Sequence, residues 1–344
     1  MTMRLSGRAV WALAALLAPI ALSAAQDIRV REHVEVRRVL LDVRVVDSRG
    51  DPILGLVPED FRILVDGRPA MLESVEWISG EEPYSEGLTP EEAAAVGVPA
   101  APRGRLIVYF FQTDFATVRL NGLMHMKFKA IELLGTLQPG DRVAVVSFDS
   151  HLKLRQDFTS DIDDLATAIH QAILFGDERY IAPGPFPSLA RSFDWAAARR
   201  AAEPETGLLV TARALEALPG TKSLVFFGWG LGHLSRPWVV MGRDYGAARA
   251  ALTRARTSVF AIDITDADFH DLEVGLEQVA EDTGGFYAKT NLFPGQAISR
   301  LEGAIAGHYV LNVVKPDLPR GGHTVAIELT RERGTVMVKP FFQD

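Results

Sequence analysis

Hydrophobic and polar positions change rhythm twice along the chain. Between residues 28 and 46, Val34, Val36, Val39, Leu41, Val43 and Val45 recur mostly at every second position, the spacing of a half-buried strand. Asp47-Ser48-Arg49-Gly50-Asp51-Pro52 predicts a turn. Pro58 opens a short helical turn. Phe61–Val65 and Met71–Ile78 then predict two strands joined by an Asp66-Gly67 hairpin turn. From Leu106 the alternation gives way to apolar runs. Leu106–Phe111, Arg142–Phe148, Lys222–Phe227 and Ser258–Ile264 suit parallel strands covered on both faces. Helical periodicity separates them. One helix turns Met124, Phe128, Ile131 and Leu134–Leu137 inward. A second is capped by Thr159 or Ser160, with Leu165 and Ile169 inward and Asp161, Asp163 and Asp164 in its first turn. Others span about Glu205–Leu218, Asp244–Arg256, Leu272–Thr283 and Pro294–Ala306, the third stopped by Gly284-Gly285. A short strand lies at Gly285–Ala288. From Tyr309 the β rhythm returns in Tyr309–Val314, Thr324–Leu329 and Thr335–Val338.

Strand and helix in alternation predict an α/β fold with a doubly wound parallel sheet over residues 105–306. It is flanked by a small β domain built from the N-terminal segment 26–79 and the C-terminal segment 307–344, which can pair because chain ends often lie close together. Residues 80–104, rich in Glu, Pro, Gly and Ala, read as a linker with a short helix near Pro90–Val96.

Composition narrows the class. The chain has 344 residues, 48% hydrophobic and 23% charged, which suits two folded domains rather than disorder. A net charge of −8 leaves no basic footprint for nucleic acid. The first 25 residues carry Arg4 and Arg8, an apolar run Ala9–Leu22 broken by Pro19, and small residues Ser23-Ala24-Ala25. This is the pattern of a secretory signal peptide. The protein is therefore expected to be exported, periplasmic or secreted, with no membrane span after cleavage; an uncleaved N-terminal anchor is the alternative. With no cysteine anywhere, the core must hold the fold unaided, and thiol catalysis and cysteine-ligated zinc are excluded.

Several stretches carry a family likeness. They are Val43–Gly50, Gly55–Phe61 and Val65–Gly67, then Gly140–Phe148 with Asp157–Asp161, then Pro219-Gly220-Thr221-Lys222-Ser223-Leu224. In order and spacing these resemble bacterial von Willebrand factor A-related proteins of the Acidobacterial type, over nearly the whole mature chain. The resemblance implies a binding crevice at the carboxyl ends of the parallel strands, in line with the rule for open α/β sheets. In many such domains the crevice holds a divalent cation on an Asp-x-Ser-x-Ser loop, a Thr and a further Asp, and a partner's carboxylate completes its coordination. This chain departs from that set. Gln112-Thr113-Asp114-Phe115-Ala116 follows the first parallel strand, and Gly228-Trp229-Gly230 follows the third without an Asp. No metal or other cofactor is expected; Asp114 is the candidate ligand should Mg²⁺ or Ca²⁺ bind. Asp263, Asp266 and Asp268 add charge to the same rim or are solvated loop acids.

Other chemistry is faint. Gly228-x-Gly230-x-Gly232 has His233 where a dinucleotide loop needs its third glycine, and reads better as a flexible crevice loop. Its Trp229 is either a packed lid or an exposed anchor for a partner. No Gly-x-Ser-x-Gly elbow, no HExxH and no histidine pair at helical metal spacing is present. Asp163 and Asp164 are adjacent and cannot face each other on a helix. The aromatic loop 175–195, with Phe175, Tyr180, Phe186, Phe193 and Trp195, is either functional or packed over the sheet edge. The expectation is a non-enzymatic protein-binding module that uses the rim Gln112–Ala116, Gly228–Gly230 and Asp263, Asp266 and Asp268 without a metal. The alternatives are a metal-dependent adhesion domain with an altered site and a secreted hydrolase with an unrecognised one.

Overall fold

The computed structural model describes residues 38–79, 104–114, 116–291, 294–331 and 333–343. The signal-peptide segment, most of the linker and Phe115 lie outside the described residues. The central strand β4 (Leu106–Gln112) has every residue buried. Beside it run β5 (Arg142–Phe148), β6 (Leu152–Thr159), β7 (Lys222–Gly228), β10 (Thr257–Asp263) and β11 (Tyr287–Lys289), in the order β11-β10-β7-β4-β5-β6. All neighbours are parallel except β5 and β6. Aromatic side chains lock the centre, with Phe110 stacked on Phe226 at 4.9 Å and Phe111 on Phe227 at 4.8 Å.

Helices cover both faces of this sheet. Ile107, Tyr109 and Phe111 meet α1 (Thr117–Leu134), α2 (Ile162–Ile173) and α7 (Pro294–Ala306). Val108 and Phe110 meet α3 (Trp195–Arg200), α4 (Pro204–Glu216), α5 (Tyr245–Arg254) and α6 (Glu273–Thr283) on the other side. Burial on both faces is why these strands are apolar throughout.

The chain ends build a second sheet from β1 (Arg38–Val46), β2 (Phe61–Val65), β3 (Arg68–Ser79), β12 (Gly307–Val314), β13 (Gly322–Leu329), β14 (Thr335–Val338) and β15 (Phe341–Gln343). Its order is β14-β1-β12-β3-β2-β13-β15, antiparallel at each pair. This corrects the expected proportions: the antiparallel sheet has seven strands to the other's six, and is not a small appendage. One face of β1 sends Leu41, Val43 and Val45 into the sheet's own core with Phe61, Ile63, Tyr309 and Leu311. The other face turns charges on the α/β part. Asp42 takes both Nε (3.0 Å) and a terminal nitrogen (2.5 Å) of Arg256, and Arg44 donates to Ser258 Oγ at 2.9 Å. Burial lowers Lys222 to about 7 and Lys339 to about 8 at this joint, with Arg256 repelling both.

Local details also differ from the sequence pattern. Helix α1 buries Leu123, Met126, Ala130, Leu133 and Leu134, and leaves Phe128 in solvent. The helix is capped at α2 by Asp161, whose carboxylate accepts from the backbones of Asp163 and Asp164 at 3.0 Å, and not by Thr159 or Ser160. Strand β6 was hidden because Lys153, Arg155 and Asp157 are charged, yet all three are buried. Asp157 explains part of this. It accepts from the backbones of Gly184, Leu189 and Ala190 and from Ser188 Oγ, and so fastens loop 175–195, whose Leu189 and Phe193 enter the core.

Candidate functional site

The strand order reverses between β4 and β7, whose neighbouring helices lie on opposite faces, so a crevice opens at their carboxyl ends. The structure brings Gln112–Asp114 and Gly228–Gly230 together there. Gln112 is buried and cross-links the two strand ends. Its amide Nε2 donates to Gly230 O at 2.9 Å, and its Oε1 accepts from the Trp229 and Gly230 backbones at 3.0 and 3.2 Å. Both ends of this side chain are thereby used. Gly228 must lack a side chain, because a Cβ would strike the Phe226 ring and sit 2.7 Å from Gln112 Oε1. Thr113 donates through its backbone and its hydroxyl to Phe148 O, at 2.9 and 3.3 Å.

Asp114 accepts from Ala116 N at 2.8 Å and pairs with the Arg119 guanidinium. That guanidinium lies 3.6 Å over the Trp229 ring, a cation–π contact worth about 0.5–2 kcal/mol. An acid, an arginine and an indole thus form a stack across the mouth. Trp229 packs while its indole Nε1 finds no partner among the described residues. Beside the stack is a cleft of about 560 Å³ lined by Thr113, Asp114, Asp149, Ser150, Lys153, Phe175 and Trp229. Lys153 pairs with Asp149 at 2.5 Å.

The acidic half of the rim behaves differently. Asp263 pairs in register with Gly228, but it is only 1% exposed. Its carboxylate receives His270 Nε2 at 2.7 Å, Tyr287 OH at 2.8 Å and Thr265 N at 2.9 Å. Buried and held by these three groups, it is not a charged rim residue open to a protein partner. Burial, then the charge and hydrogen bond of Asp263, push the Tyr287 phenol well above its ordinary value. Asp266 and Asp268 are exposed, and Asp268 is held by Asn291 Nδ2 at 3.0 Å.

After the loop of Gly228–Gly232 the chain leaves the crevice as a hairpin of β8 (His233–Ser235) and β9 (Trp238–Val240). The buried carboxylate of Glu205 accepts from Gly232 N and Gly242 N and fastens both feet. Trp238 at the tip is 73% exposed, with Leu234 and Val240 also outward. Such an apolar tip is a natural contact surface.

Sequence reasoning missed Arg119, Lys153, Glu205 and the hairpin. Arg119 carried a readable signal: it is a cation in the first turn of α1, where the helix dipole disfavours it, and so requires an acid nearby. Ser150 Oγ lies 3.0 Å from His151 Nδ1, but the hydroxyl donates to Asp149 at 2.9 Å. Glu178, the acid near His151 at 3.8 Å, is held by Arg199 at 3.0 Å.

No helix among the described residues is long and apolar enough to cross a membrane. No family model matches the chain, and no curated protein matches it. The solved structures similar to the chain are so at low identity. The conserved hypothetical protein BatB from Bacteroides thetaiotaomicron is 14% identical with a TM-score of 0.41, over 58% of this chain and 97% of that one. The von Willebrand factor type A protein from Catenulispora acidiphila is 9% identical with a TM-score of 0.42, over 85% and 74%. The PilB minor pilin from Streptococcus sanguinis is 12% identical with a TM-score of 0.37, over 59% and 60%.

Proposed function

We propose that this chain is an exported, non-enzymatic binding module in which a doubly wound, von Willebrand factor A-like domain holds a protein partner at its crevice rim without a metal ion. One observation carries the metal-free part. The donors where an Mg²⁺ ion would sit are a glutamine amide with both ends engaged and one carboxylate taken by Arg119. A hard divalent cation needs several free oxygens, and this set does not fit it. Arg119, stacked on Trp229, provides the mouth with a fixed positive charge in its place. Trp229 and the outward Trp238 of the hairpin supply an aromatic rim of the kind that anchors partners.

The test is capture of partners from the native cell envelope on the immobilised chain, with an Arg119→Glu, Trp229→Ala double variant as control. Capture by the wild type and at least tenfold less by the variant is expected. Calorimetric titration with Mg²⁺, Ca²⁺ and Mn²⁺ should give no heat that depends on Asp114. Micromolar binding abolished by Asp114→Ala would replace this reading with a metal-dependent adhesion site.

A further inference from the structure

We propose that Asp263, His270 and Glu273 form a second, independent site that binds a divalent first-row transition ion of the zinc type. Asp263 ends β10, His270 lies in the loop that follows, and Glu273 opens α6. One ligand atom from each lies within 4.8 Å of the others, so small side-chain shifts bring all three onto a single ion with bonds of about 2.0–2.2 Å. Asp263 and Glu273 are buried, and His270 is partly covered.

The geometry is already oriented for coordination. Tyr287 OH and Thr265 N hold the Asp263 carboxylate from outside at 2.8 and 2.9 Å, as the outer partners of metal ligands do. A proton now bridges His270 Nε2 and Asp263 Oδ2 at 2.7 Å. An incoming ion takes the Nε2 lone pair, and the ring proton moves to Nδ1. One imidazole nitrogen with two carboxylate oxygens suits a zinc-type ion better than Mg²⁺ or Ca²⁺, and leaves a fourth position for water.

The cluster also holds a cation already. Lys289 Nζ lies 2.6 Å from Glu273 Oε2 and donates to Asp268 O at 2.6 Å. Two buried carboxylates need positive charge, and one ammonium offsets only one of them. When the ion enters, Lys289 leaves Glu273 and keeps its bond to the Asp268 carbonyl.

The intact chain, freed of metal by dialysis, is titrated with ZnCl₂ by calorimetry, and Co²⁺ is used as a visible-absorption probe. Micromolar zinc binding with a Co²⁺ ligand-field spectrum is expected. His270→Ala and Glu273→Gln should each weaken it at least about tenfold, and Tyr287→Phe by roughly tenfold. Lys289→Met removes the resident competitor and should tighten binding several-fold, a gain that a merely structural hydrogen-bonded knot would not give. Asp114→Ala should change nothing, which keeps this result separate from the crevice. Absence of zinc binding in both wild type and Lys289→Met overturns the proposal, as does binding that survives loss of His270 and Glu273 together.

Discussion

Gln112 shows how one side chain decides the character of the crevice. A carboxylate there would leave lone pairs to be satisfied by a cation, whereas the amide satisfies its own acceptor and donor on Gly230 and Trp229. The replacement was legible in the sequence, but its consequence was not, because the partners lie 117 and 118 residues away. His270 was equally hidden, since its neighbour Asp263 is brought close only by the loop after β10. Charge also governs stability at His308, buried in β12 at 3.7 Å from Asp42. Burial, reinforced by Arg44, Arg256 and Lys339, lowers it to about 4 against the pull of Asp42. Between about pH 4 and 6.5 the unfolded chain therefore binds a proton that the native chain refuses. Stability present above 6.5 is lost as pH falls through that window, by an amount on the order of 3 kcal/mol. Urea midpoints measured across it should show the loss in the wild type and a flatter profile in His308→Gln; equal slopes would exclude His308 as the source.

At the scale of elements, helix α1 departs from its pattern at Phe128, which is exposed, while Met124, Ile131, Leu134 and Leu137 pack on the core as expected. It carries apolar residues on more than one side, so periodicity could not choose between Phe128 and Met126. The structure chooses through Gly122, where a Cβ would collide with the Ile264 carbonyl oxygen. Propensity alone says that Gly122→Ala should stabilise a helix by up to about 1 kcal/mol. The collision reverses the sign, and a loss of about 2–3 kcal/mol is expected in thermal or urea unfolding. Phe128→Ser, on the exposed side, should change stability by less than about 0.5 kcal/mol. The buried parallel strands were readable because both faces are covered. Strand β6 and the β8–β9 hairpin were not, because one buries charges and the other exposes its apolar residues.

For the molecule as a whole, the antiparallel sheet joins the two ends of the chain. Strand β12 lies between β1 and β3, and β13 covers β2, so residues 38–79 have no complete sheet without residues 307–343. The joint to the α/β part is ionic as well as apolar: Asp42–Arg256 and Arg44–Ser258 cross it, and Val46 and Met337 pack on the α/β core. A chain ending at residue 306 should therefore not keep a folded N-terminal segment. Limited proteolysis should cut it first within 38–79, and a resistant 38–79 fragment would disprove that dependence. The composition of each end suggested strands, but the interleaved order came from pairings 228 to 276 residues apart, which no local pattern encodes.

The Glu205 clamp has a consequence for variation. A single buried carboxylate fixes both feet of the hairpin through backbone N–H groups, bonds that do not depend on which side chains lie between them. The outward residues Leu234, Trp238 and Val240 can thus be exchanged, changing what the hairpin touches while the scaffold beneath is unaltered.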